Sequence, residues 1–65
     1  MSIDNMKIGK CYFMRNYGET TSFTVLEALE NDFRIKDLLS LELYKFSDLI
    51  RYGQGPDFDL YELEC

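Results

Sequence analysis

The residue types that most often perform catalysis or bind metal ions are scarce in this sequence. Histidine is missing, which removes the usual general base for a serine or cysteine nucleophile and the commonest zinc ligand. The two cysteines, Cys11 and Cys65, do not by themselves make a structural zinc site. We therefore predict a protein that is not an enzyme and has no catalytic residues, no metal site and no cofactor.

Acidic side chains are the most abundant ionisable groups, and several of them alternate with apolar and aromatic residues near the end of the chain. They are Asp57, Asp59, Glu62 and Glu64. A calcium loop would need the Asp-x-Asp-x-Asp-Gly spacing and a distal glutamate, which this run lacks. A chain of 65 residues also offers little cleft in which burial would raise a carboxyl pKa for sugar chemistry. The run is typical of the solvated face of an edge strand.

Aromatic residues give the strongest indication of a binding role. We expect four of the five phenylalanines to form the core: Phe13, Phe23, Phe33 and Phe46. Tyrosine has an apolar ring and a polar tip and is enriched at protein interfaces. Either most of the five tyrosines pack at the rim of the domain, or some of them form an exposed patch for a protein partner or a second copy. The residues of that predicted patch are Tyr44 and Tyr61, with Tyr12 or Tyr17.

The net charge of the chain restricts its partners. Twelve acidic residues against seven basic ones give a net charge of −5, which repels phosphate backbones and anionic membrane surfaces. The basic residues are scattered singly, and only Arg34 and Lys36 would share one face of a strand. The sequence therefore disfavours nucleic-acid binding and predicts no membrane contact.

The ends of the chain and its cysteines suggest a compartment. The first residues lack the charged-then-apolar pattern of a signal peptide, and no stretch approaches the ~20 apolar residues of a membrane helix. We predict a cytoplasmic protein. A single Cys11–Cys65 bridge is possible, but small secreted scaffolds usually carry more cysteines, so reduced thiols are favoured, with Cys65 exposed to intermolecular oxidation.

Hydrophobic periodicity predicts five short strands. Their predicted ranges are 9–15, 22–29, 33–37, 41–46 and 57–64. A loop would join the first two strands as far as Thr21, a tight hairpin would form at Asn31-Asp32, and residues 38–40 would turn the corner. Apolar alternation fails near Glu27, which indicates a β-bulge.

Two stretches also fit helix. The spacing of Thr24 to Glu27 suits a capping box, and residues 36–52 have apolar positions compatible with a long helix. We favour strands in both places. One helical turn is predicted over residues 47–52, with Ser47 capping its start and Gly53 taking a left-handed conformation at its end.

Four segments resemble the Src-homology-3-like small barrels, and within them Tudor domains. The segments are Gly9-Lys10-Cys11-Tyr12, Phe23-Thr24-Val25-Leu26, Phe33-Arg34-Ile35-Lys36-Asp37 and Ser47-Asp48-Leu49. The resemblance implies an all-β, five-stranded Src-homology-3-like barrel over residues 1–65, with one short helical turn near residues 47–52 and a binding role. Tudor domains that trap methylated residues commonly carry an aromatic cage wall after the third strand. The corresponding residues in this chain are Asp37-Leu38-Leu39-Ser40, which include no aromatic, so no residue is assigned to such a cage. The chain is also similar to short single-domain bacterial proteins without an assigned activity.

These observations predict a non-catalytic protein-interaction module that acts through an acidic and aromatic surface on a basic or amphipathic partner. A domain of 65 residues buries only about 60% of the surface that its unfolded chain exposes, so a partner or a second copy is a plausible source of further burial. One alternative is a structural homo-oligomer whose fourth strand is covered by its own copy. The less favoured alternative is single-stranded nucleic-acid binding through stacked aromatics, which the net charge opposes.

Overall fold

The computed structural model describes residues 3–65, and its main feature is one antiparallel sheet of five strands. The strands are β1 (Cys11–Asn16), β2 (Glu19–Leu29), β3 (Asp32–Asp37), β4 (Leu43–Lys45) and β5 (Asp59–Leu63). A short 3-10 turn (Ile3–Asn5) precedes β1, and one helical turn, α1 (Phe46–Leu49), follows β4 directly. The prediction of a small all-β chain with one helical turn is confirmed.

The strand order is β4-β3-β2-β1-β5, so the last strand returns across the molecule to pair with the first. Strands β4 and β5 form the two edges, and they do not pair with each other in the part of the chain that the structure describes. The sheet is therefore open, and the predicted closure into a barrel is not found.

One face of the sheet carries the hydrophobic core. Alternation along each strand places apolar side chains on this face, where α1 and the segment before β1 cover them. The buried apolar cluster is Met6, Tyr12, Met14, Phe23, Val25, Ile35, Phe46 and Leu60. Phe33 packs against this cluster as predicted, together with Phe58. Phe13 does not, because the pleat of β1 turns it to the opposite face, where it stacks on Tyr61.

The long strand β2 bends at a bulge. Its pairing with β3 shifts between Val25 and Glu27, so Leu26 has no partner opposite it. This confirms the predicted bulge near Glu27 and excludes the helical alternative for this segment. A hairpin follows as predicted, but its turn is Glu30-Asn31 and not Asn31-Asp32. Leu29 pairs with Asp32, and Asn31 has a φ of 61°.

The connection between β1 and β2 differs from the prediction. Asn16 pairs with Glu19, so the predicted loop to Thr21 is a two-residue turn of Tyr17 and Gly18. Both turn residues have positive φ, 51° and 76°, which matches the twist of an antiparallel pair. The strands therefore continue to the turn, and β2 begins three residues earlier than predicted.

The fourth strand is also shorter than predicted. Leu41 has a φ of 62°, so β4 begins only at Leu43, and Phe46 leaves the strand to start α1. The alternative of a long helix over residues 36–52 is excluded. Ser47 does not cap the turn as predicted, since the Lys45 amide donates to Asp48 Oδ2 at 3.3 Å instead. Gly53 has the expected left-handed conformation, with a φ of 86°.

The two cysteines form a disulfide, so the prediction of reduced thiols is wrong. Antiparallel pairing sets Cys11 opposite Leu63, and Cys65 lies two residues further on the same face. The Cα atoms of the two cysteines are 6.1 Å apart, within the usual range for a bridge. The sequence favoured free thiols because small secreted scaffolds usually carry more than two cysteines, and neither composition nor spacing shows that the first and last strands are neighbours.

Candidate functional site

The four tyrosines of the predicted patch do not lie together. Tyr12 is fully buried in the core, and its hydroxyl accepts a hydrogen bond from the Lys7 amide at 2.7 Å, so it is not part of a surface site. Tyr44 lies opposite Ile35 on the core face of β4 and is half-buried. Tyr61 lies on β5, at the other edge and on the other face of the sheet. The predicted patch is therefore not formed.

Tyr61 contributes instead to a small aromatic pair on the outer face of the sheet. Its ring stacks on Phe13 with a centroid distance of 5.0 Å and an interplanar angle of 27°. Beside this pair, Arg15 and Asp59 form an ion pair at 4.0 Å in which both side chains are about half exposed. Exposed ion pairs contribute little to stability, about 0–1 kcal/mol. This face thus carries an aromatic pair and an exposed ion pair side by side.

Tyr17 belongs to a groove that we call the tyrosine groove. It runs between the β1–β2 turn and the segment from α1 to β5, and its volume is about 580 Å³. The groove is lined by Asn16, Tyr17, Glu19, Asp48, Leu49, Arg51 and Tyr52. Tyr52 is 83% exposed and Tyr17 is 55% exposed, so neither side chain is held in place by the core. Tyr52 was not predicted as a site residue, and only its place next to the left-handed Gly53 marks it as a surface turn.

Hydrogen bonds from Asn16 fix the two walls of the tyrosine groove to each other. The Asn16 side chain is buried, and its Nδ2 donates to the Gly53 carbonyl at 3.0 Å. Its Oδ1 accepts from the Gly55 amide at 2.7 Å. The Tyr17 hydroxyl donates to the Tyr52 carbonyl at 3.1 Å. The buried amide is therefore satisfied on both sides, and the groove is formed before any ligand binds.

Asp57 supports the same groove from behind the β1–β2 turn. Its two carboxylate oxygens accept from the amides of Tyr17 and Gly18, each at 2.8 Å. The Gly18 hydrogen bond, with that from Tyr17, lowers the pKa of Asp57 below its ordinary value of 3.8, although desolvation acts in the opposite direction. A Cβ atom on Gly55 would lie 2.9 Å from the Tyr17 ring, so a larger residue there would displace that ring.

Replacement of Asp57 by asparagine should make unfolding less sensitive to acid. Because the folded-state pKa lies below the unfolded one, the Asp57 carboxylate stabilises the fold above about pH 4, and this contribution is lost as the pH falls through the folded pKa. Urea unfolding at a series of pH values below about pH 5 should give a steeper loss for the wild type than for Asp57→Asn. Asp59→Asn is the control, and an equal flattening by both variants would contradict the assignment.

Asp32 has a comparable structural role in a second groove of about 400 Å³ beside α1. Its Oδ2 accepts from the Ser47 hydroxyl at 2.7 Å, and its Oδ1 accepts from the amides of Phe33 and Ser47 at 2.8 and 3.1 Å. Desolvation acts to raise the pKa of Asp32, but these hydrogen bonds, the Ser47 hydroxyl first, outweigh it and lower the pKa. The carboxylate is therefore occupied in joining the β2–β3 turn to α1.

A second candidate surface, which we call the leucine edge, follows β3. It consists of Leu38, Leu39, Leu41 and Leu43. These side chains are 37%, 90%, 61% and 61% exposed, respectively. Sequence analysis missed this surface because it took the same residues for a turn and a strand packed on the core. Four leucines among six consecutive residues at a turn were the available signal.

Asp37 holds the leucine edge in one conformation. Its Oδ1 accepts from the amides of Leu39 and Ser40 at 2.7 and 2.9 Å, and its carbonyl accepts from the Leu41 amide at 2.9 Å. Its own amide donates to the Glu42 carbonyl at 2.9 Å. The leucines are therefore presented to solvent by an ordered, hydrogen-bonded loop.

Comparison of the chain with protein-family models, with curated proteins and with solved structures gave no match. Within residues 3–65, no group of three or more candidate side chains is placed to hold a metal ion, and no helix is long and apolar enough to span a membrane. Fold and surfaces together define a small all-β domain with an open five-stranded antiparallel sheet, the tyrosine groove and the exposed leucine edge.

Proposed function

We propose that the chain is a non-catalytic protein-interaction module that holds a basic segment of a partner protein in the tyrosine groove. The main observation behind this proposal is the set of side chains that line the tyrosine groove. Two exposed tyrosine rings, Tyr17 and Tyr52, share it with the carboxylates of Glu19 and Asp48. The half-buried Leu49 adds an apolar surface for the stem of a long side chain.

The chemistry of these groups suits a lysine or arginine side chain. A cation over a tyrosine face gains about 0.5–1 kcal/mol at an exposed site, and nearby carboxylates add attraction that is screened by salt. The net charge of −5 favours the approach of a basic segment from a distance. Arg51 also lines the groove and opposes a cation there. Its place at the groove makes it a useful test residue.

A titration with a short lysine-rich peptide tests the proposal. Amide chemical shifts of the labelled protein should move most for residues 17–19 and 48–52, and the same peptide with acetylated lysines should not bind. The double variant Glu19→Gln, Tyr52→Ala should weaken binding by about tenfold, because it removes one carboxylate and one ring. Arg51→Ala should strengthen binding by a few-fold.

The matched control is Tyr61→Ala, which removes an exposed tyrosine on the outer face of the sheet that does not line the groove. It should leave the affinity for the peptide unchanged. Shifts spread evenly over the acidic surface, or an equal loss with Tyr61→Ala, would mean that the peptide binds by charge alone and that the groove has no special role.

Two further predictions concern the fold family and the location of the protein. Five antiparallel strands, a bent second strand and a helical turn before the last strand support the resemblance to Src-homology-3-like barrels. The predicted cytoplasmic location also stays a prediction, and the Cys11–Cys65 disulfide counts against it, because disulfides persist mainly in oxidising compartments.

A further inference from the structure

We propose that the leucine edge is a homodimer interface, in which a second copy of this chain pairs antiparallel with β4. The proposal concerns a different surface from the tyrosine groove and does not rest on the function proposed for it. Four of the nine large hydrophobic residues that are exposed among the described residues lie within residues 38–43. Their combined exposed surface equals that of about two and a half fully exposed leucine residues.

The conformation of the loop points to a binding surface. Leu41 has a φ of 62°, a left-handed conformation that costs a branched residue more than glycine or asparagine. The residue gains little burial in return, because it is 61% exposed. The hydrogen bonds of Asp37 hold the loop in this shape, but packing within a single chain does not explain why a leucine takes the position in place of glycine or asparagine.

The sheet offers a free strand at the same place. Strand β4 pairs with β3 on one side only. On its other side the Lys45 amide already donates to Asp48 Oδ2, so the backbone N–H and C=O of Leu43 are the groups that a partner strand would meet. Leu43 lies on β4 itself, and Leu41 precedes it by two residues. A twofold axis beside Leu43 would extend the sheet from one copy into the next and bring the leucines of both copies into contact.

Charge selects this edge over the other one for self-association. Strand β5 carries Asp59 and Glu62, with Glu64 just after it, and two such acidic edges would repel each other. The β4 side has a mixed balance, because Lys36 is paired with Leu43 and Lys45 ends the strand, whereas Glu42 directly precedes it. A chain with a net charge of −5 can therefore approach its own copy here without a concentrated like-charge contact.

An interface of standard size would cover only a small part of the chain. A standard interface buries about 800 Å² per partner. This is less than a fifth of the 4480 Å² of accessible surface of the chain. The leucines supply the apolar centre of such an interface, and the side chains of Lys45 and Glu42 supply a polar rim.

Sedimentation equilibrium of the oxidised protein, from low micromolar to millimolar concentration, tests the proposal. We expect a non-covalent species of twice the 7.7 kDa mass of the chain. The double variant Leu39→Ser, Leu43→Thr should raise the dimer dissociation constant by about tenfold or more. Leu41→Asn should weaken the dimer too, while its fold is retained because asparagine tolerates the left-handed conformation.

The matched control is Leu26→Ser, which removes a leucine that is 42% exposed at the β2 bulge, outside the leucine edge. It should leave the dissociation constant unchanged within about twofold. The groove variant Glu19→Gln, Tyr52→Ala should also remain dimeric, so that failure of the groove proposal is distinguishable from failure of this one. A monomer at all concentrations, or a dimer that the leucine-edge variants do not weaken, would overturn the proposal.

Discussion

Reduction of the Cys11–Cys65 disulfide is expected to lower the free energy of unfolding by roughly 4 kcal/mol, because the bridge closes a loop of nearly the whole chain. The cysteines are separated by 54 positions in a chain of 65 residues. In the chain-entropy model, a loop of this length removes much of the conformational freedom of the unfolded state. Small domains have little stability to lose, about 5–15 kcal/mol for typical proteins and less for the smallest.

Urea unfolding followed by circular dichroism, with and without a reductant, measures this effect. The unfolding midpoint should fall on reduction, and the slope should rise because the reduced unfolded chain exposes more surface. Cys65→Ser is the matched control, since it removes the bridge and leaves the buried Cys11 in place. This variant should unfold like the reduced protein and should not respond to reductant. Coinciding curves for the oxidised and reduced wild type would show that the bridge contributes nothing.

Local signals in the sequence predicted the local parts of the fold. The apolar alternation of Phe33 and Ile35 with charged neighbours identified β3, which the structure places at Asp32–Asp37. The loss of alternation near Glu27 identified the bulge, because an extra residue moves the following side chains to the other face. The turn at Asn31 was also predictable, since asparagine tolerates positive φ.

Features that depend on strand order were not predictable in this way. The predicted patch of Tyr44 and Tyr61 is not formed, because β4 and β5 are opposite edges of the sheet. The sequence of neither strand indicates this position. The disulfide was not predicted for a related reason, since the sequence does not show that β1 and β5 are neighbours. The tyrosine groove depends on Asn16 bonding to residues 37 and 39 positions away, a contact with no local pattern.

The leucine edge shows a third kind of failure. A leucine-rich segment next to a strand normally indicates core, and the prediction assigned it there. The single positive φ at Leu41 changes the course of the backbone before β4. Because side chains alternate along a strand, where β4 starts decides which face each leucine takes. Tyr44 therefore faces the core, and Leu43 faces solvent.

The largest effect of a single substitution is expected for Tyr12, which the sequence placed among the candidate binding residues. Tyr12→Ala should destabilise the fold by about 3–5 kcal/mol, because it leaves a large cavity in the centre of the core. Tyr12 has no exposed surface, and its ring centroid lies 5.9 Å from that of Phe23. Thermal and urea unfolding should find the variant largely unfolded at 37 °C, or folded only while the disulfide is intact.

Two control variants separate the contributions of the ring and its hydroxyl from those of a surface tyrosine. Tyr12→Phe keeps the ring but removes the acceptor of the Lys7 amide, and it should cost about 0.5–1.5 kcal/mol. Tyr61→Ala removes a ring that is 45% exposed and stacked on Phe13, and it should cost about 0.5–1.5 kcal/mol as well. If Tyr12→Ala stayed as stable as Tyr61→Ala, the core described here would be wrong. Tyr12 would then return to the list of binding residues, because only an exposed tyrosine can be removed at so small a cost.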